Sequence, residues 1–121
     1  MRYNQAFGKW GEETAAQYLK NQGLKIIKQN WKCSYGEIDI VAQKEHMVVF
    51  VEVKTRKNNH YGLPEEAITR KKREHLIHTC MAYINAYEIE DEWRIDIIAV
   101  QKKNGEDAEI EWFENAIREN E

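Results

Sequence analysis

Asp39, Glu52 and Lys54 are the residues of this sequence whose types and spacing can do chemistry together. Glu52 and Lys54 interrupt the segment Met47 to Thr55, where four valines and a phenylalanine in nine residues read as a strand. Such a run belongs to a central strand covered on both faces. A side-chain period of two puts Phe50, Glu52 and Lys54 on one face. Charges in that setting must be paired, lie at the strand end, or have a function. Asp39 sits in the preceding segment, Gly36 to Ala42. Its alternation puts Ile38, Ile40 and Ala42 on one face and Glu37, Asp39 and Val41 on the other.

The two strands can be set against each other in two registers. A four-residue turn at Gln43 to His46 puts Asp39 opposite Phe50, two residues short of Glu52. A turn at Lys44 to Met47 puts Asp39 opposite Glu52. Directly opposed residues on an antiparallel pair have Cβ atoms about 5 Å apart, and diagonal neighbours about 7 Å, so either register keeps the carboxylates close. Two carboxylates at that range repel unless a cation lies between them. A divalent ion satisfies both, and ligation by oxygen alone suits Mg²⁺ or Mn²⁺. Lys54, one step along the same face, could stabilise charge developing on a phosphate or orient an attacking water. The competing reading is a partly buried network in which Asp39 and Glu52 pair with Lys54 and Arg94.

The remaining chain supplies elements to hold these residues. Phe7, Trp10, Thr14, Ala15, Tyr18 and Leu19 recur at helical spacing between about Asn4 and Asn21, with Gly23 as the stop. On that helix Glu12 falls at the edge of the apolar stripe, about 20° from Leu19. Glu13 falls about 60° from Trp10, deeper in the wet face, so Glu12 is the better candidate to approach a sheet. Leu24 to Asn30 reads as a strand. Pro64 suits the first turn of a second helix reaching Tyr87, with Leu76, Ile77, Cys80, Met81 and Ile84 as its apolar face. Trp93 to Val100 is a further strand, and Glu109 to Phe113 an edge strand before a frayed acidic tail. Helix, three strands, helix and one or two strands predict an α/β fold, a single mixed sheet flanked by helices.

The chain has 121 residues, which fits one domain over 1–121, with 105–121 as edge strand and tail. Hydrophobic residues make up 42% and charged residues 32%, which excludes a disordered or low-complexity chain. No apolar run approaches the ~20 residues of a membrane helix, and the first residues lack the apolar segment of a secretory signal. The expected location is therefore the cytoplasm, with no membrane partner. Cys33 and Cys80 lack zinc-ligand spacing and read as unpaired buried thiols. The four histidines show no metal-binding spacing, and Trp31, Tyr35 and Tyr61 could stack on bases near the site, although aromatic side chains more often pack into cores.

The net charge of −3 argues against strong non-specific binding of nucleic acid, but the charge is segregated. Seven basic residues face three acidic ones between Lys54 and His75, whereas seven acidic residues face one basic residue between Gly105 and Glu121. The first segment can form a basic surface, with Lys72 and its neighbours set either for phosphate contact or as a solvated helix face.

Several motifs in order carry a family resemblance: Gly11-Glu12 with Ala15, Gly36-Glu37-Ile38-Asp39, Phe50-Val51-Glu52-Val53-Lys54-Thr55-Arg56, then Lys72 and Arg94-Ile95-Asp96. Together they resemble the YraN-like family of small bacterial proteins predicted to be endonucleases. Asp39, twelve residues, and Glu52-Val53-Lys54 resemble the core of the PD-(D/E)XK nuclease superfamily. Ile38 stands where that superfamily usually has proline. The resemblance implies a restriction-endonuclease-like core and metal-dependent hydrolysis of nucleic-acid phosphodiesters. It implies Mg²⁺ or Mn²⁺ on Asp39, Glu52 and the Val53 carbonyl. Lys54 is then the catalytic lysine, Glu12 an acid supplied by the first helix, and Arg56 and Lys72 contacts to the nucleic acid. The expected substrate is DNA, in branched or single-stranded forms, and a homodimer would enlarge the surface offered to a branched duplex. Two alternatives keep the fold without the reaction: a nucleic-acid-binding module, and a protein-interaction factor that docks through the acidic tail and Trp112-Phe113.

Overall fold

A computed structural model describes residues 2–57, 68–102 and 107–119, with the side chains of the first helix from residue 5 onward. Helix α1 spans Arg2–Asn21, followed by strands β1 (Lys25–Cys33), β2 (Gly36–Lys44) and β3 (Met47–Arg56). Helix α2 (Arg70–Ala86) leads to β4 (Glu92–Lys102) and β5 (Ala108–Ile117). The five strands form one sheet in the order β1-β2-β3-β4-β5. Only β3 and β4 run parallel, joined across α2, so the sheet is mixed. The α/β architecture expected from the sequence is the one present, and its element order is consistent with a restriction-endonuclease-like core.

The two helices cover opposite faces. Ala15, Ala16 and Leu19 of α1 pack on Ile40, Ala42, Val49, Val51, Ile98 and Val100. Ile77, Cys80 and Tyr83 of α2 pack on Val41, Val48, Phe50, Ile95 and Ile97. Strand β3 is therefore covered on both sides, as its valine run requires. Phe50 is fully buried and meets the Tyr83 and Trp93 rings edge-on at 5.6 and 5.8 Å between centroids. Ile38 departs from the predicted alternation: it joins the α2 side with Val41, whereas Ile40 and Ala42 lie on the α1 side. The break falls at Asp39.

Helix α1 ends where Gly23 adopts φ of +93°, with Gly23 N–H donating to Lys20 O and Leu24 N–H to Leu19 O. This is the Schellman cap, and its apolar pair, Leu19 and Leu24, lies in the α1-side core. Helix α2 begins at Arg70, capped by the Thr69 hydroxyl, which accepts from Lys72 N–H. Pro64 and Tyr61 lie outside the described residues. The chain beyond Phe113 does not fray at once. Strand β5 continues to Ile117, which is buried. Trp112 is bound into the sheet through Asp96, which removes it from any free docking segment. Both cysteines are free thiols, but only Cys80 is buried; Cys33 is partly exposed. Among the described residues no helix is long and apolar enough to cross a membrane.

Candidate functional site

The β2–β3 ladder runs from Lys44↔Met47 to Ile40↔Val51 and stops there. One further step of that register sets Asp39 level with Glu52, the second of the two predicted alignments. The turn is shorter than predicted: only Glu45 and His46 lie between the paired ends, with Glu45 at φ of +54°. Where the ladder stops, the Asp39 side chain takes over from the backbone. Val53 N–H donates to Asp39 Oδ2 at 2.8 Å. The carboxylate thus occupies the seam where β2 and β3 separate, which accounts for the broken alternation.

Glu52 and Lys54 point to the α2 face, as their spacing predicts. Lys54 Nζ lies 3.7 Å from Glu52 Oε2, and both side chains retain about a quarter of their exposure (24% each). Arg94 is not part of this group. It pairs with Asp96 at 3.0 Å and Glu114 at 3.2 Å, which removes the predicted alternative network of Asp39 and Glu52 with Arg94. Burial and the neighbouring Glu52 charge push the Asp39 carboxyl up to about 8, against the single compensating bond from Val53 N–H. Two acids are thus held together, with Lys54 as the ion-pair partner of Glu52 among the described residues.

Glu12 approaches from α1, as its place at the edge of the apolar stripe predicts, while Glu13 is exposed. Its carboxyl is raised by burial and by the Asp39 charge. Its approach depends on Gly11: a β-carbon there would overlap the Thr55 side chain of β3, so only glycine lets α1 come this close. Asn30 Nδ2 donates to Glu12 Oε1 at 2.8 Å and fixes the acid's orientation. Asn30 is level with Asp39, between the pairs Gln29↔Ile40 and Trp31↔Ile38, and has φ of +54°. Asn30 escaped the sequence reading. Its one available signal was a residue tolerant of left-handed backbone inside a strand pattern. Glu37 is exposed but adds to the negative field on both Asp39 and Glu12.

Lys72 is exposed on α2 and lines a hollow of about 510 Å³ whose floor includes Glu52 and Lys54. The structure therefore brings together Asp39, Glu52, Lys54 and, from α1, Glu12, with Lys72 across a hollow. Arg56 closes β3 beside Gln101. Among the described residues no three His, Cys, Asp or Glu side chains form a ready metal cluster. Asp39 and Glu52 are the pair placed to share a cation, with the Val53 backbone beside them.

Fold and site define a small α/β protein with an acid pair and a lysine at an opened strand seam. The sequence belongs to the uncharacterised protein family UPF0102, whose profile matches residues 11–100 and so spans Glu12 to Asp96. It is similar to UPF0102 proteins of Syntrophotalea carbinolica (39% identity over 93% of this chain and 91% of the relative) and Dehalococcoides mccartyi (40% over 98% and 99%). A UPF0102 protein of Phocaeicola vulgatus is 42% identical over 83% of each chain.

Proposed function

We propose that this chain is a metal-dependent nuclease of the PD-(D/E)XK superfamily, hydrolysing phosphodiester bonds of nucleic acid, with DNA as the substrate. The observation that carries the reading is the Asp39–Glu52 pair at the point where β2 and β3 part, with Lys54 beside Glu52. A structural ion pair would balance these charges. Here burial and the Glu52 charge push the Asp39 carboxyl up to about 8. That donor set is made only of oxygens, which fits Mg²⁺ or Mn²⁺. Asp39, Glu52 and the Val53 carbonyl would hold the ion, which when bound supplies Lewis-acid polarisation of the phosphate and acidifies a water.

The chain's own residues do the rest. Lys54 carries the positive charge nearest the acid pair, where it offsets negative charge developing on the phosphoryl oxygens and orients the attacking water. Glu12, steered by Asn30, accepts a proton or a water hydrogen bond on the α1 side of the seam. Arg56 and Lys72 hold flanking phosphates, contacts that set the register of the strand. A homodimer would present two such sites to a branched duplex.

The test is calorimetric titration of Mg²⁺ and Mn²⁺ into wild type and Asp39→Asn, with cleavage of single-stranded, duplex and branched DNA followed on the same samples. Binding and cleavage that both vanish in the variant are the expected result. A wild type that binds neither ion and leaves every DNA intact would overturn the proposal.

A further inference from the structure

We infer that the α2 face of this site is a track for an unpaired nucleic-acid strand, with Tyr35 as the platform on which a base stacks. This deepens the nuclease reading by naming its substrate class, and it turns on Tyr35, a residue that reading does not use.

Tyr35 sits in the two-residue turn between β1 and β2, whose ends pair as Cys33↔Gly36. Its side chain is a large apolar group left 57% exposed. A β-carbon on Gly36 would lie 3.1 Å from Thr79 Oγ1, so the backbone of this turn packs closely on α2. An exposed aromatic ring, with two side-chain torsions, offers stacking area at little entropic cost.

Two hollows meet at this ring. One, of about 510 Å³, contains Glu52, Lys54, Lys71, Lys72 and His75. The other, of about 610 Å³, continues along α2 past His78, Met81 and Asn85. Tyr35 lines both. Its ring stands 5.9 Å from that of His78, and Met81 beyond is 43% exposed. The track therefore joins the hollow that holds Glu52, Lys54, Lys71 and Lys72 to the hollow lined by His78, Met81 and Ala82, with Tyr35 between them. Basic side chains that follow a backbone, alternating with aromatic and apolar surface, are how single strands are held. A paired base has both faces covered by its neighbours and cannot stack on Tyr35, so the platform selects unpaired nucleotides.

The test is fluorescence anisotropy of labelled 12-nucleotide DNA, the same DNA as a duplex, and the RNA equivalent, all in EDTA so that hydrolysis plays no part. The expected result is tighter binding of a single strand than of the duplex. Tyr35→Ala should weaken single-strand binding about tenfold, within the range a lost stacked base produces, and Tyr35→Phe should restore it. The DNA and RNA arms identify the source of the strand. Equal or tighter binding of the duplex, or full single-strand affinity in Tyr35→Ala, would overturn the inference. Because no metal is present, the strand track can fail while cleavage stands, and cleavage can fail while the track stands.

Discussion

Asp39 and Asp96 flank the same strand. Val51 of β3 pairs with Asp96 of β4 on one side and with Ile40, the neighbour of Asp39, on the other. Both aspartates lie inside the sheet, and burial raises both carboxyls. Their surroundings differ. Asp96 is fully buried and accepts from Arg94 Nε at 3.0 Å, Trp112 Nε1 at 2.8 Å and Asn115 N–H at 2.8 Å. The sheet deforms to serve it: the β4–β5 register shifts between Ile95 and Ile97, and Asn115 takes φ of +52° opposite that shift. Asp39 receives one backbone N–H and faces Glu52, Glu37 and Glu12. One aspartate is a finished structural knot. The other lies among like charges, and it is the one the proposed function uses to hold a cation.

The largest expected effect separates the two by activity. Asp39→Asn should reduce cleavage by about 10³-fold, which corresponds to about 4 kcal/mol of barrier, because it removes a proposed metal ligand. It should leave the metal-free fold intact. A second readout follows from the raised carboxyl. In the folded protein Asp39 titrates near 8, above its ordinary value of 3.8, so the native state holds a proton that the unfolded chain has released. Stability in EDTA then falls as pH rises from about 4 to about 8, and levels off above that. Thermal melts should show this decline in the wild type and a shallower one in Asp39→Asn. Equal slopes would place Asp39 with Asp96 as a satisfied group.

Asp96→Asn should do the reverse. Removing the charge leaves Arg94 without its nearer partner and breaks the fit to Trp112 and Asn115, at a cost of about 3 kcal/mol in urea unfolding. Cleavage per folded molecule should be retained. A variant that stays stable but loses activity would reverse the roles assigned here.

Much of this contrast could be read from the chain before folding. Period two in β3 placed Glu52 and Lys54 on one face, and helical angles chose Glu12 over Glu13. The register stayed open because Gln43 to Met47 contains no Asn-Gly or Asp-Gly signal of a two-residue hairpin. Glu45 adopts the left-handed conformation without such a signature. The start of α2 was misread because Arg70 to Arg73 puts four cations and no acid in the first turn, against the usual dipole preference. The apolar pattern of β5 ends at Phe113, whereas the strand continues to Ile117 past a bulge at Asn115. Its bulge exists for Asp96, a long-range partner that local pattern cannot reveal. Asn30 was missed for the same reason, since its partner lies 18 residues away on another element.

Gly11 tests whether the seam aspartate depends on α1. Gly11→Ala forces a methyl group into Thr55, which should cost about 2 kcal/mol of stability and displace Glu12 from the seam. Thr55→Ala in the same chain should recover part of both stability and cleavage. Recovery of stability without cleavage would show that Thr55 has a role of its own at the site.

The smallest effect is expected at Asn30. Asn30→Ala removes the bond to Glu12 Oε1 and leaves the sheet ladder in place, so stability should change by about 1 kcal/mol or less. Glu12 would lose the one hydrogen bond that favours its charged form, while burial and the Asp39 charge would still favour the protonated form. The acidic limb of the cleavage–pH profile should therefore move to higher pH, with a loss of about tenfold at neutral pH. Asn30→Asp adds a further negative charge at the same place and should move that limb further in the same direction. A profile unmoved by both changes would detach Glu12 from the reaction and confine the chemistry to Asp39, Glu52 and Lys54.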